Sequence, residues 1–486
     1  MINPANLGSI CCAALVTLLG EPRVALPGSA AYNSSLESYF TEQQSSTQPA
    51  CIVLACTSQD VSKAVKRLTA QSTTCPFAVR SGGHAYWAGA SNIAGGVVID
   101  LRALDTIALS ANNSTALVGV GSTWDTVYAK LDPYRLSVNG GRAAGVGVGG
   151  LTLGGGISYF SPRYGWACDT VSNFEIVLAD GSIVNANAQS HADLFRALKG
   201  GNNNFGIVTR IDLATFEQGP LWASTVYNSL SLVDEVIDQL VKLNSGDTYD
   251  EYTSYLTSFG YTQAQGLSLI VSELEYTKAV DALYPAVYQG YMDLPNLGQT
   301  TQVINMTALS QRIASFQPIP PRRAIFRVVT LISAEKVIKM AFNQWNASVQ
   351  AIANVTDVVW AIVLEPLPHA FYARAANYNA LGLGDRTEPL VVAVLSITWR
   401  NAQDDELVST TADKLLDAIA KEAQQLGGLD PFIYLNYAGQ FQDPIRSYGA
   451  ESVSRLRQAQ KKYDPKGIFT FQVPGGYKIP GVKPKY

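Results

Sequence analysis

Nine of the eighteen residues from Asn139 to Gly156 are glycine. Each glycine inside a helix costs about 1 kcal/mol relative to alanine, so the tract is not expected to form an ordinary helix. Its use is close approach: with no side chains in the way, backbone can lie directly against a ligand. The tract contains Gly145-x-Gly147-x-x-Gly150, which satisfies the dinucleotide fingerprint. That fingerprint should come after a strand and open a helix. Leu151-Thr152-Leu153 and three more glycines come next, so the sequence argues against a dinucleotide fold of that kind. A second glycine loop, Arg80-Ser81-Gly82-Gly83-His84-Ala85-Tyr86-Trp87-Ala88-Gly89, holds one of only three histidines. Loops of this kind aim successive N–H groups inward and hold anions such as phosphates. A tight turn with a surface histidine is the alternative.

The rest of the chain gives the frame. Its 486 residues allow two to four folding units at roughly 150 residues each. Only 15% are charged and the net charge is -4, so no basic surface for nucleic acid is implied. No apolar run reaches the length of about 18 residues that a membrane span needs. Short apolar segments read as strands at Cys51–Ala55, Pro76–Arg80, Gly96–Asp100, Thr115–Val120, Phe174–Ala179, Ile207–Leu213, Leu390–Thr398 and Ile433–Tyr437. Helical patterns run over Val61–Thr69, Leu232–Leu243 and Ser452–Lys462. Composition shifts near Gly219-Pro220. Mixed α+β in at least two domains is the expectation.

Ile10–Leu19 lacks the Lys or Arg that precedes a secretory apolar core, and reads as a short helix capped by Ser9 and ended by Gly20. Six cysteines permit disulfides; Cys11 or Cys12 with Cys51, and Cys56 with Cys75, are the expected pairs. Asn-x-Ser/Thr sequons occur at Asn33, Asn112, Asn113, Asn305, Asn346 and Asn354, and the compartment stays open. The histidines are not spaced as metal ligands and there is no Gly-x-Ser-x-Gly elbow.

Several ordered motifs together resemble the FAD-linked oxidases of the berberine bridge enzyme type, in the vanillyl-alcohol oxidase group. They are Arg80-Ser-Gly-Gly-His84 with Tyr86 and Gly89, Gly145 to Gly156, Arg163-Tyr-Gly-Trp-Ala-Cys-Asp169, Asp193 to Gly201, Asn204 to Thr209, Tyr434-Leu-Asn-Tyr437 and Tyr463-Asp-Pro465. The wording around Ser161–Asp169 looks like fungal members. The resemblance covers both ends of the chain and only loosely the middle. It implies a two-domain α+β fold: an FAD-binding domain from residues 1–215 and 430–486, and a substrate domain of antiparallel sheet and helices from residues 216–429.

For the site, the resemblance implies covalent attachment of His84 to the 8α-methyl of FAD. Further cofactor contacts are expected at Arg80, Ser81, Gly82, Gly83, Gly89, Val146, Gly147, Gly149, Gly150, Gly154, Gly155, Gly156, Gly206, Ile207, Val208 and Asn436. Many relatives carry a second link through a cysteine where this chain has Ala143, so a single tether is expected. Ile157 stands where some relatives place a catalytic tyrosine. Hydride transfer to flavin needs a base, and a tyrosine serves if its pKa falls from about 10. Tyr434 is the expected base, with Asn436 two residues on facing the same side and Tyr437 pointing away as the fallback. Tyr86 is expected to bond Tyr434 or to line the pocket. His191 is expected to cap a helix, and His369 to be structural or at the surface.

The implied activity is an oxidase: a small, preferably hydrophobic metabolite gives a hydride to FAD, and O2 reoxidises it to yield hydrogen peroxide. A dehydrogenase with another acceptor, a carbohydrate oxidase and a flavin-containing cyclase are the alternatives.

Overall fold

The computed structural model describes residues 4–70, 75–246, 249–317 and 322–482. Among the described residues, three sheets form the frame. The first is small: Val24–Ala25 runs antiparallel to Cys51–Leu54, which pairs in parallel with Val97–Asp100, and that with Phe77–Arg80. Its strands are apolar on both faces, as parallel strands covered on both sides must be. The helix Ser58–Leu68 makes the connection, capped by a reciprocal Thr57–Asp60 box. The second sheet is antiparallel and centres on Ile207–Glu217, flanked by Thr115–Gly119 and Val171–Val177.

The third sheet has eight strands, in the order Gly298–Ile304, Leu221–Asn228, Leu267–Tyr276, Thr253–Thr262, Val359–Leu367, Leu390–Trp399, Arg323–Ile332 and Leu429–Asp430, all antiparallel. Side chains alternate across it. Ile270, Leu274, Ile362, Leu364, Ala393, Leu395 and Ile397 face the helices Val233–Asn244, Glu335–Ile352 and Asp405–Gln425 and form one apolar core with them. The intervening residues, among them Leu256, Ser258, Glu273, Val363, Glu365, Val394 and Ser396, face the opposite way, into a cavity against the first two sheets.

Four local expectations are corrected. Val148–Leu153 is a short α-helix inside the glycine tract. Packing holds it, since Val148 and Thr152 are fully buried and Thr152 Oγ1 donates to the Val148 carbonyl at 2.8 Å. Ile433–Tyr437 is not a strand: Leu435–Tyr437 forms a 3-10 turn, closed by Tyr437 N–H donating to the Tyr434 carbonyl at 3.1 Å. The N-terminal helix begins at Pro4, well before Ile10, and ends at Leu19 before Gly20. Cys75 pairs with Cys11, and not with Cys56; Cys12 pairs with Cys51. Cys56 is a free thiol beside the Arg23 guanidinium.

Candidate active site

Two glycine loops cross where the first sheet meets the cavity. A Cβ on Gly82 would lie 2.6 Å from the Gly147 backbone, and one on Gly147 would lie 2.5 Å from the Gly82 nitrogen. No side chain fits at either position. Gly83 takes a φ of +74°, open to glycine at little cost. The turn it makes delivers His84 to the cavity wall. Ser81 Oγ donates to the Val120 carbonyl at 2.6 Å and pins the loop to the second sheet.

The His84 ring stacks on Phe40 with centroids 3.7 Å apart, and the Arg322 guanidinium lies 4.4 Å over the Phe40 ring. Burial, with the Arg322 charge second, lowers the imidazole pKa to about 4. His84 is therefore neutral near pH 7, with a ring nitrogen lone pair free.

Ser81, Gly82, Gly83, His84, Tyr86, Val146, Gly147, Gly149, Gly150, Gly206, Ile207, Val208, Tyr434 and Asn436 all line one cavity of about 440 Å³. Arg80 does not. It turns behind the loop, fully buried under Tyr39, and its guanidinium donates to the Ser35 carbonyl and to Ser38 Oγ. Gly154, Gly155 and Gly156 also lie off the cavity, packed on Asn436, Leu381 with Trp166, and Ala167 with Leu151 respectively. Gly89 is not on the wall either. His191 precedes the helix Ala192–Leu198 but makes no side-chain cap bond; its Nδ1 meets Ser190 Oγ at 2.9 Å. His369 opens a short helix away from the cavity and packs edge-on to Tyr372.

Tyr434 is 1% exposed, and its hydroxyl oxygen accepts from the Ile157 N–H and from Asn436 Nδ2, each at 3.0 Å. The expected lowering of its pKa is not found. Burial pushes it up, and the Asn436 bond opposes this only in part. Because this segment is a turn, Tyr437 faces the same cavity as Tyr434, edge-on to it at 4.9 Å. Tyr86 lines the cavity by stacking on Phe326 at 3.5 Å; its described partners do not include Tyr434.

A polar group on the cavity joins Arg142 of the glycine tract, Tyr437 of the Tyr434-Leu-Asn-Tyr437 motif and Glu365, which no motif signals. Arg142 Nη2 donates to Glu365 Oε1 at 2.6 Å and to the Tyr437 hydroxyl at 2.8 Å, and that hydroxyl donates to Glu365 Oε1 at 2.9 Å. Burial works against the Arg142 charge, but Glu365 and the nearby tyrosines outweigh it and hold the guanidinium firmly protonated. Glu365 Oε2 and the Tyr159 hydroxyl are buried with no partner among the described residues, and both residues line the cavity. Glu273 faces the same space, its pKa pushed up by burial.

The profile of an FAD binding domain matches residues 49–187, which contain both glycine loops. The FAD-dependent monooxygenase sdcF of Emericella nidulans is 36% identical, over 98% of this chain and 99% of its own length. This chain belongs to the FAD-dependent oxidoreductases that carry an FAD binding domain of this kind. Another relative, named oligopeptidase PhomG' in Diaporthe leptostromiformis, is 50% identical over 96% of this chain, which spans 37% of that protein's length. Among solved structures, a berberine bridge enzyme-like protein of Physcomitrella patens superposes with a TM-score of 0.78 at 20% identity, covering 98% of this chain and 99% of that one. The helices and antiparallel sheets found here are consistent with the two-domain fold of that structure.

A member of this family binds FAD, and the cavity wall suits it. Gly82, Gly83, Gly147, Gly149, Gly150 and Gly206 give a surface of bare backbone, and a neutral imidazole stands at its edge. Ala143 lines the cavity and offers no thiol there, and the described free cysteines, Cys56 and Cys168, are not on its wall.

Proposed function

We propose that this FAD-dependent oxidoreductase is an oxidase that holds its flavin by one covalent bond, from His84 to the 8α-methyl carbon. The reading rests on one observation: a neutral, half-buried imidazole, a side-chain-free glycine wall and the Glu365–Arg142–Tyr437 group share a single cavity. When bound, the flavin supplies a two-electron acceptor that takes a hydride from the substrate and is reoxidised by O2, giving hydrogen peroxide.

The chain's own groups then divide the remaining work. His84 offers an unprotonated nitrogen, the form that can act as a nucleophile toward the cofactor. Tyr434 keeps its proton, because burial disfavours the phenolate. Glu365 accepts the proton that leaves the substrate. Its Oε2 has no partner among the described residues, and Arg142 balances its charge through Oε1. Arg142 and Tyr437 hold that carboxylate in place. Ile157, Leu256, Ile313, Val363 and Val394 give the cavity apolar walls, which supports a small hydrophobic metabolite carrying a hydroxyl that Oε2 can meet.

The test is denaturation in acid and then intact-mass measurement. An increment of one FAD should survive unfolding and vanish in His84→Ala. Pigment that washes out of the unfolded wild-type chain would refute the tether. The name monooxygenase carried by the Emericella relative supports a second reading, in which one oxygen atom enters the product. Turnover under heavy-isotope O2 separates the two: an oxidase leaves all label in peroxide and water, a monooxygenase puts one atom in the organic product.

A further inference from the structure

The six sequon asparagines differ from the others in this chain. Asn33, Asn112, Asn113, Asn305, Asn346 and Asn354 are all exposed, whereas of the sixteen other asparagines with described burial only Asn185, Asn296, Asn343 and Asn377 are. Sequence-level chance places sequons without regard to burial, so six exposed out of six calls for a cause. The amide nitrogens differ too. Ten of those sixteen others, such as Asn139, Asn204 and Asn244, donate from Nδ2 to groups within the protein. In the six sequons no described hydrogen bond uses Nδ2. Where the side chain does work, it works through oxygen. Asn305 Oδ1 accepts from Ala308 N–H at 2.9 Å to cap a helix, and Asn112 Oδ1 accepts from Ser114 N–H at 3.2 Å in a turn. The one atom that a glycan would occupy is left out of the described bonding in every case.

The cysteines point the same way, independently. The adjacent Cys11 and Cys12 form disulfides with Cys75 and Cys51, and all four are buried. Buried structural disulfides form and persist in oxidising compartments.

We infer that this chain matures in an oxidising secretory compartment and carries N-linked glycans at these exposed asparagines. In the transfer, a bond forms between asparagine Nδ2 and C1 of a sugar donated by a lipid diphosphate-linked oligosaccharide. The C1–O bond to the diphosphate breaks, the lipid diphosphate leaves, and Nδ2 loses one proton. Each disulfide forms by passing two electrons and two protons from a pair of thiols to a thiol–disulfide oxidoreductase. Asn112 and Asn113 overlap, so one glycan is expected for that pair.

The experiment uses full-length holoprotein purified from the cells that naturally make it. Peptide N-glycosidase digestion in heavy-oxygen water converts each glycosylated asparagine to a labelled aspartate, and peptide mapping locates the label. Label at two or more of the sequons is expected. Alkylation of the unfolded, unreduced chain should modify only Cys56 and Cys168, and the other four cysteines only after reduction. A chain without label overturns the glycan assignment, even with its disulfides formed. Six cysteines open to alkylation before reduction overturn the compartment. Replacing the six asparagines with glutamine should abolish the mass shift; because the wild-type map stands alone, a variant that fails to fold leaves the outcome decided.

Discussion

An unpartnered carboxylate oxygen inside a protein is costly, and Glu365 Oε2 has no partner among the described residues, at the point where the proposal puts the substrate. A positioned base contributes on the order of 10²–10⁴ in rate. Glu365→Gln is therefore expected to slow anaerobic flavin reduction by at least about 10²-fold, or ~2.7 kcal/mol. Tyr434→Phe should cost less, because that hydroxyl holds its proton at rest. Rapid-mixing absorbance reads both variants, and a larger loss in Tyr434→Phe would return the base to the tyrosine. Legibility at this scale divides by motif. His84 and the glycines around it stand in an ordered string with a recognisable spelling. Glu365, Tyr159 and Arg142 carry no local signature, because an acid on the cavity face of a strand looks like any polar residue in an alternating pattern. Asp169 stands in a motif, but its sequence context does not reveal that it makes a pH-dependent contribution. Burial raises its pKa to about 6 from 3.8, and hydrogen bonds from Asn379 and Trp166 offset this only in part. The folded state thus binds the proton more tightly than the unfolded state, so this contribution favours folding below pH 4 and is lost as pH rises to about 6. The expected swing is about 3 kcal/mol at most. Asp169→Asn cannot titrate, so the stability of wild type relative to this variant should fall between pH 4.5 and 7 in urea melts. An equal difference at both pH values would dismiss the effect.

Elements are easier to find in this sequence than to type. The long strands Ile207–Glu217 and Leu390–Trp399 are visible as apolar runs. The helix Val148–Leu153 is hidden, because propensity counts its glycines as penalties and cannot see that burial of Val148 and Thr152 overrides them. The turn after Tyr434 reads as a strand because aromatic residues favour sheets, while its backbone donors find partners locally. The same glycines allow a test that separates fold from cofactor. Gly147 has an ordinary extended backbone, φ -70° and ψ 142°, so alanine there meets only a steric obstacle, the Gly82 backbone 2.5 Å away. Gly147→Ala should force the loops apart, cost about 1–3 kcal/mol, and yield colourless protein. A Cβ on Gly150 meets no atom of the described residues within 4 Å, and that residue lies in a helix on the cavity wall. Gly150→Ala should keep or raise thermal stability while lowering flavin content. Equal flavin content in Gly150→Ala and wild type would mean the cofactor does not lie against that wall.

At the scale of the whole molecule, the site exists only where distant parts of the chain meet. Arg142 comes from the glycine tract, Glu365 from the eight-stranded sheet and Tyr437 from the return of the chain, separated by 223 and 72 positions along the sequence. Motifs on both flanks mark where the cofactor side begins and ends. The middle carries no such mark, because pairing order in an antiparallel sheet depends on contacts between strands and not on a motif within any one. Arg142 and Glu365 have side-chain exposures of only 14% and 6%. Removing one member of a buried pair costs about 3–5 kcal/mol, because the other charge is left without compensation. Arg142→Met should therefore melt well below wild type. Combining it with Glu365→Gln removes the stranded charge, so the double variant should recover at least half of that loss, a coupling of more than about 1 kcal/mol in a double-mutant cycle. On the proposed tether neither single variant need lose its flavin, since His84 is not among the described hydrogen-bond partners of the pair. Strictly additive losses in the cycle would mean that Glu365 is held by the sheet alone, and that the contact between sheet and glycine tract does nothing to position it.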